Sequence, residues 1–232
     1  VFSHVNVHMN MSAKTHTIQR ANCGVEMDIR KVILKTEFEV GPIDVFISNA
    51  GIPANGGTEV PNDEWDRIWR VNVMQHVFVA RHLFPLYKSR GYGAMLITAS
   101  AAGLLTQIGS LPYSVTKHAA VSVAEWLQIA HRSDNIRISC LCPQAVKTGM
   151  VPEGGDGGVA GSDGTLDPND VAAESIQVLS RGEFLVLPHK KVKVYMQRKA
   201  ADYDRWLRGM HRVHVAMGEI MRKTPPISAA KL

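Results

Sequence analysis

Three side chains in the middle of the chain can share one substrate: Ser100, Tyr113 and Lys117. Tyr113 and Lys117 stand four apart behind Pro112, so a helix over this stretch puts a phenol and an ammonium one above the other on one face. A free tyrosine titrates near pH ~10 and is a poor base at neutral pH, whereas a fixed positive charge beside it stabilises the phenolate and brings its pKa down. The pattern predicts a proton carrier at Tyr113. Ser100 closes the apolar run Ala94-Met95-Leu96-Ile97-Thr98-Ala99, which reads as a buried strand. Its hydroxyl then emerges at the strand's carboxyl end, where open α/β sheets bind their ligands. Taken alone, a tyrosine and a lysine at helical spacing describe a solvated face equally well.

The elements needed to hold these groups can be read on both sides of them. Ile43 to Ser48 is a near-continuous apolar run, as expected of a parallel strand buried on both faces, and Asn49-Ala50-Gly51 follows at its carboxyl end. Asn and Gly also suit a plain strand-to-loop turn. Pro61-Asn62-Asp63-Glu64 opens a long helix with acids in its first turn, and Asn72 lies among that helix's apolar residues, where its amide needs a partner. Ile136 to Cys142 forms another strand, and Val146 and Thr148 lie just beyond it. Asp167-Pro168 starts a helix, Phe184 to Pro188 is a last short strand, and His189 to Lys223 reads as helix. Earlier, Gly24 to Ile29 reads as a strand holding Asp28, which equally suits a helix cap, and Arg30 to Val40 as a short amphipathic helix.

Taken together, Ile97-Thr98-Ala99-Ser100-Ala101-Ala102-Gly103, Tyr113 thirteen positions after Ser100, Lys117, Ile47-Ser48-Asn49-Ala50-Gly51 and Val71-Asn72-Val73 resemble the short-chain dehydrogenase/reductase family from about Gly24 to Pro188. The resemblance implies hydride transfer between NAD or NADP and an alcohol or ketone, with Asn72, Ser100, Tyr113 and Lys117 as the catalytic set. In that set Tyr113 gives or takes the proton, Lys117 lowers its pKa and holds the ribose, Ser100 binds the substrate oxygen, and Asn72 anchors a relay water. It also implies cofactor contacts from Asp28 to the adenine, from Asn49, Ala50 and Gly51 along the cofactor, from Tyr113 and Lys117, and from Val146 and Thr148 near the nicotinamide. Two departures stand out: Ser48 replaces the family's first Asn, and Gln144 follows Pro143 where Gly is usual. The glycine-crowded stretch Val151 to Thr165 matches the family's substrate-covering loop, or else is a plain surface loop.

The front of the chain does not match. No glycine precedes Gly24, although a dinucleotide fold opens with a glycine-rich turn that lets the backbone approach a pyrophosphate at a helix N-terminus. We expect that front to be missing or replaced, cofactor binding to be weakened or lost, and the alternating Val5, Val7 and Met9 to supply a strand from Val1 to Met9 on the edge left open.

The fold expected is α/β: a doubly wound parallel sheet, Rossmann-like and three-layered, short on its N-terminal side. It forms one domain over residues 1–232, with an atypical segment 1–23 and a helical extension and tail 189–232. The net charge of +5 is spread thinly outside His189 to Lys193 and the C-terminal part, a solvated helix face rather than a nucleic-acid surface. Apolar runs fall short of the ~20 residues needed to cross a bilayer. Three cysteines, Cys23, Cys140 and Cys142, exclude a disulfide framework and fit a reducing compartment, and the scattered histidines offer no metal site. A soluble cytoplasmic homodimer or homotetramer is expected, with peroxisomal import raised by the terminal Ala230-Lys231-Leu232. Two other readings stand beside the enzyme: a cofactor-deficient binding or dimerisation module, and an incomplete, inactive chain.

Overall fold

The computed structural model describes residues 4–7, 17–150 and 157–223. The chain first forms a two-stranded antiparallel pair, β1 (His4–Val7) and β2 (Thr17–Arg20). Helix α1 (Glu26–Glu39) follows and leads into strand β3 (Val45–Ser48). Helix α2 (Asn62–Trp69) then runs through a π-helical turn, Arg70–Met74, into α3 (Gln75–Arg90). Strand β4 (Gly93–Thr98) leads through the short α4 (Ala102–Leu105) to α5 (Leu111–Ala130), and β5 (Ile136–Leu141) follows. Helix α6 (Pro168–Ser180), β6 (Leu185–Val186), α7 (Lys191–Ala201) and α8 (Tyr203–Lys223) complete it.

Strands β3, β4, β5 and β6 form one parallel sheet in that order, with Ser48 opposite Ile97, Ile97 opposite Cys140 and Cys140 opposite Leu185. Because side chains alternate along a strand, the central ones are buried on both faces. Met95, Ile97, Ile138 and Cys140 point one way, into a core with Leu83, Phe84 and Tyr87 of α3 and Ala120, Ala124 and Leu127 of α5. Leu96, Leu141 and Val186 point the other way, onto Val171, Val178 and Leu179 of α6. This is the expected parallel sheet with helices on both faces.

Local chemistry sets the ends of the elements. Asp167 caps α6, its carboxylate accepting from the Asn169 amide at 2.8 Å, with Pro168 in the first turn. Gly91, at φ 78°, ends α3 in the left-handed conformation that glycine adopts freely.

Three expectations are corrected. Gly24 to Ile29 is not a strand: α1 begins at Glu26, because the Asn22 amide donates to Asp28 Oδ2 and the Gly24 amide to Asn22 Oδ1, and Ile29, Val32, Ile33 and Thr36 then form a helical stripe that buries. The early strand does not complete the main sheet. Among the described residues β1 pairs with β2 alone, β4 is the only strand beside β3, and Val45 and Ile47 of β3 are about half exposed. The tail is not one helix, since Asp202 adopts an extended φ of -152° between α7 and α8. The peroxisome-like end, Ala230 to Leu232, and residues 151–156 of the glycine-rich stretch lie outside the described residues. Among the described residues, no helix is long and apolar enough to cross a membrane.

Candidate active site

A cleft of about 2570 Å³ opens over the carboxyl ends of β3, β4 and β5 and extends to α7 and α8. Asn49, Ala50, Gly51, Ser100, Tyr113, Lys117, Val146 and Thr148 all line it. Each arrives on its own element. The turn after β3 brings Asn49 to Gly51, the end of β4 brings Ser100, the first turns of α5 bring Tyr113 and Lys117, and the loop after β5 brings Val146 and Thr148. The β3 loop is tied to the start of α5, with the Gly56 amide donating to the Gly109 carbonyl at 3.0 Å and the Leu111 amide to the Gly56 carbonyl at 2.9 Å.

Helical spacing puts Tyr113 and Lys117 together as expected, with the ammonium 5.6 Å from the centroid of the phenol ring. Lys117 is buried and its Nζ donates to the Thr98 carbonyl at 3.0 Å. Burial disfavours the charged amine and brings its pKa down to about 8, opposed by the neighbouring Cys140 and Cys142. The Tyr113 pKa moves the other way from the expected one. Burial pushes the phenol above its ordinary value, and the Ser100 hydrogen bond offsets only part of that. The reason is geometric: the ammonium lies over the ring face and is spent on Thr98, so desolvation of the phenolate dominates. Ser100 Oγ also accepts from the Ala102 amide at 3.1 Å, which fixes the hydroxyl at the strand's end.

Asn72 is fully buried within the π-helical turn, a distortion found disproportionately at functional sites. Its Oδ1 accepts from the Ile52 amide at 2.9 Å, while its Nδ2 donates to the Ile52 carbonyl at 3.0 Å and to Thr116 Oγ1 at 3.2 Å. The side chain therefore bridges the β3 loop to α5. A Cβ on Gly51 would meet Lys117 Nζ at 3.3 Å and Asn72 Oδ1 at 3.5 Å, so the backbone at Gly51 packs directly on both. Asp28 is not brought to this set. It sits in the first turn of α1, holding the Asn22 amide at 3.0 Å.

Two buried polar residues were not anticipated. Gln75 Nε2 donates to the Ala50 and Val71 carbonyls, tying the β3 loop to the helix. His76 Nδ1 lies 2.7 Å from Ser48 Oγ, and its Nε2 has no hydrogen-bond partner among the described residues. Burial, then the Lys117 charge, lower the His76 pKa to about 3, so the ring is neutral. Consecutive polar residues three and four positions after Asn72, in an otherwise apolar helix, were the signal available.

The residues around Tyr113 and Lys117 fit the nicotinamide-ribose end of a dinucleotide, since a lysine amine and the Ser100 and Tyr113 hydroxyls line the cleft there and can hydrogen-bond ribose oxygens. The diphosphate is served less well. The helix that follows the first described strands opens with Glu26 and Asp28, charges that repel a phosphate at an N-terminus. Among the described residues, no group of three or more His, Cys, Asp or Glu could hold a metal ion.

Comparison with known proteins agrees with this geometry. Residues 4–156 match the family model described as short chain dehydrogenase. The 1-deoxy-11-beta-hydroxypentalenate dehydrogenase of Streptomyces exfoliatus is 33% identical over 173 residues, covering 71% of this chain and 61% of that protein. The meso-2,3-butanediol dehydrogenase of Serratia marcescens is 33% identical over 124 residues, covering 53% and 49%. This chain thus spans less than two thirds of the length of either. The apo form of LigO from Sphingobium sp. strain SYK-6 superimposes with a TM-score of 0.66 at 25% identity, covering 89% of this chain and 77% of that one.

Proposed function

The chain belongs to the short-chain dehydrogenase family, and from that premise we propose that it catalyses oxidoreduction of an alcohol or ketone with NAD or NADP. The observation that carries this reading is that Ser100, Tyr113 and Lys117 line one cleft at the carboxyl end of a parallel sheet, with the Lys117 ammonium 5.6 Å from the centroid of the phenol ring. The names of the two relatives support an alcohol or ketone as substrate. When bound, the nicotinamide supplies or accepts the hydride.

The protein's own groups handle the oxygen and its proton. Ser100 Oγ, fixed by the Ala102 amide, donates to the substrate oxygen and orients it toward Tyr113. Tyr113, with its pKa raised by burial, holds its proton at neutral pH and gives it to that oxygen as charge develops there. The buried Lys117 ammonium, 5.6 Å from the phenol ring, stabilises the phenolate left behind and would hold the nicotinamide ribose. Asn72 and Gln75 fix the β3 loop against the neighbouring helices, and Val146 and Thr148 would lie on the nicotinamide side of the cleft. This arrangement favours ketone reduction at neutral pH, the direction in which the phenol acts as an acid.

The test is turnover of a ketone panel at saturating NADH or NADPH, read from loss of reduced-nicotinamide absorbance. Tyr113→Phe should lower the rate by at least about a hundredfold, the usual contribution of a positioned acid, with the thermal melt unchanged. An equally active variant overturns the assignment. A second reading, a cofactor-deficient binding module, is favoured by the acidic first turn of α1, and it predicts no turnover by either protein.

A further inference from the structure

One wall of the cleft is made by the end of α7 and the first half of α8, which pack on α4 just after Ser100. Trp206 anchors it, packing in a small core with Leu105, Val192 and Tyr195, its ring 6.4 Å from that of Tyr195. Met210 and Val213 continue the apolar wall along α8. Beside this strip stand three arginines, Arg198 near the end of α7 and Arg205 and Arg212 on α8, all lining the cleft and all exposed to water. Arg205 and Arg212 are seven residues apart, two helical turns, and therefore share one side of the helix.

The cations around these arginines divide: Lys190 and Lys191 are ion-paired, whereas Lys193, Lys199 and Arg208 on the same two helices have no carboxylate partner among the described residues. Lys190 pairs with Glu174 at 2.6 Å, Lys191 with Asp163 at 2.8 Å and Arg181 with Glu183 at 2.5 Å. None of the three cleft arginines has a carboxylate within ion-pair distance among the described residues. The one acid on that wall, Asp202, is engaged as a cap, its carboxylate accepting from the Arg205 amide at 2.9 Å. The mouth of the cleft thus carries three guanidinium groups without an ion-pair partner against the single Asp202 carboxylate, a net positive charge whose field low-dielectric walls strengthen.

We propose that Arg198, Arg205 and Arg212 bind the acid group of the substrate, so that the protein acts on hydroxy- or oxo-carboxylic acids with an apolar body. The substrate class rests on the dehydrogenase reading, whereas the anion site does not. The apolar body lies along Trp206, Met210 and Val213, with its reactive carbon toward Tyr113 and its carboxylate at the rim. Guanidinium forks meet a carboxylate through two parallel hydrogen bonds, which gives direction as well as attraction. A neutral analogue of the same shape keeps the apolar contacts and loses only these.

The test is calorimetric titration of the full chain with 10-hydroxydecanoate and, separately, decane-1,10-diol, which share the hydroxyl and the chain and differ at the far end. The hydroxy acid should bind about tenfold tighter, a modest return for charge-assisted hydrogen bonds at a wet rim. Arg205→Gln combined with Arg212→Gln should abolish that preference while leaving diol affinity within about twofold and the thermal melt unchanged. Raising the salt concentration should narrow the preference. Equal binding of acid and diol by the unaltered chain, binding of neither, or a preference that survives in the double variant would each overturn the proposal. Because no cofactor or turnover enters the measurement, absence of dehydrogenase activity would overturn the earlier reading and leave this one standing.

Discussion

Replacing His76 with asparagine should flatten the acid side of the stability profile. The ring is fully buried, holds Ser48 Oγ through Nδ1 at 2.7 Å, and would place an unpartnered Nε2–H in the core if protonated. Its pKa is therefore lowered from 6.5 to about 3, first by burial and then by Lys117. In the unfolded chain the imidazole takes up its proton near its ordinary value, while the folded state refuses it until far lower pH. Stability from this group is complete above 6.5 and is lost as pH falls toward 3, at up to ~1.4 kcal/mol per pH unit. Between pH ~7.5 and ~5 that amounts to about 2 kcal/mol. Asparagine retains a polar atom near the Nδ1 position for Ser48 but cannot titrate. Urea denaturation at both pH values should show the unaltered chain losing about 2 kcal/mol more than His76→Asn over that interval, whatever the variant's absolute stability. Parallel losses, within about 0.5 kcal/mol, would show that His76 is hydrated or charged in the native state and would refute the reasoning.

A methyl group at Gly103 would lie 2.4 Å from the Lys117 carbonyl, so Gly103→Ala must separate α4 from α5. Chemical denaturation should show a loss of about 1–3 kcal/mol, against little change or a slight gain for Gly218→Ala in open space on α8. With the Lys117 amine at about 8, ketone reduction should fall as pH rises through that value, because the neutral amine no longer stabilises the phenolate. Lys117→Arg, if active, should extend the rate plateau to higher pH in a pH-rate profile. NADH and NADPH should each bind with a Kd weaker than about 0.1 mM in calorimetry, since the described residues serve the nicotinamide end better than the diphosphate, and a low-micromolar value would refute this.

The parts that could be read in advance were those in which local pattern and burial agree. Strands β4 and β5 are apolar runs of strand length, and α5 carries Pro112 at its start, so Ser100, Tyr113 and Lys117 could be placed from spacing alone. The start of α1 could not, because Val25, Met27 and Ile29 alternate as a strand would, while the choice of helix rests on Asn22 and Asp28 holding each other's surroundings. Gln75 and His76 were hidden for a different reason. Their partners, Ala50 and Ser48, are more than twenty residues away, and only the tertiary fold satisfies them. The direction of the Tyr113 shift was misread because charge proximity can be inferred from spacing and desolvation cannot.

The π-helical turn at Arg70–Met74 makes the number of residues between α2 and α3 matter as much as their identity. An α-helix advances about 100° per residue, so deleting one residue of α2 beside that turn, such as Trp69, would rotate everything before it by over a quarter turn relative to everything after it. Ile68, fully buried, would swing away from its place, and the side chain now at Asn72 would no longer face both Ile52 and Thr116. Point substitution can be absorbed by repacking around a site, but a change of length cannot. Within this one helix, a single-codon deletion is therefore expected to be less tolerated than almost any exchange of one side chain for another, even at the exposed positions between Asn62 and Trp69.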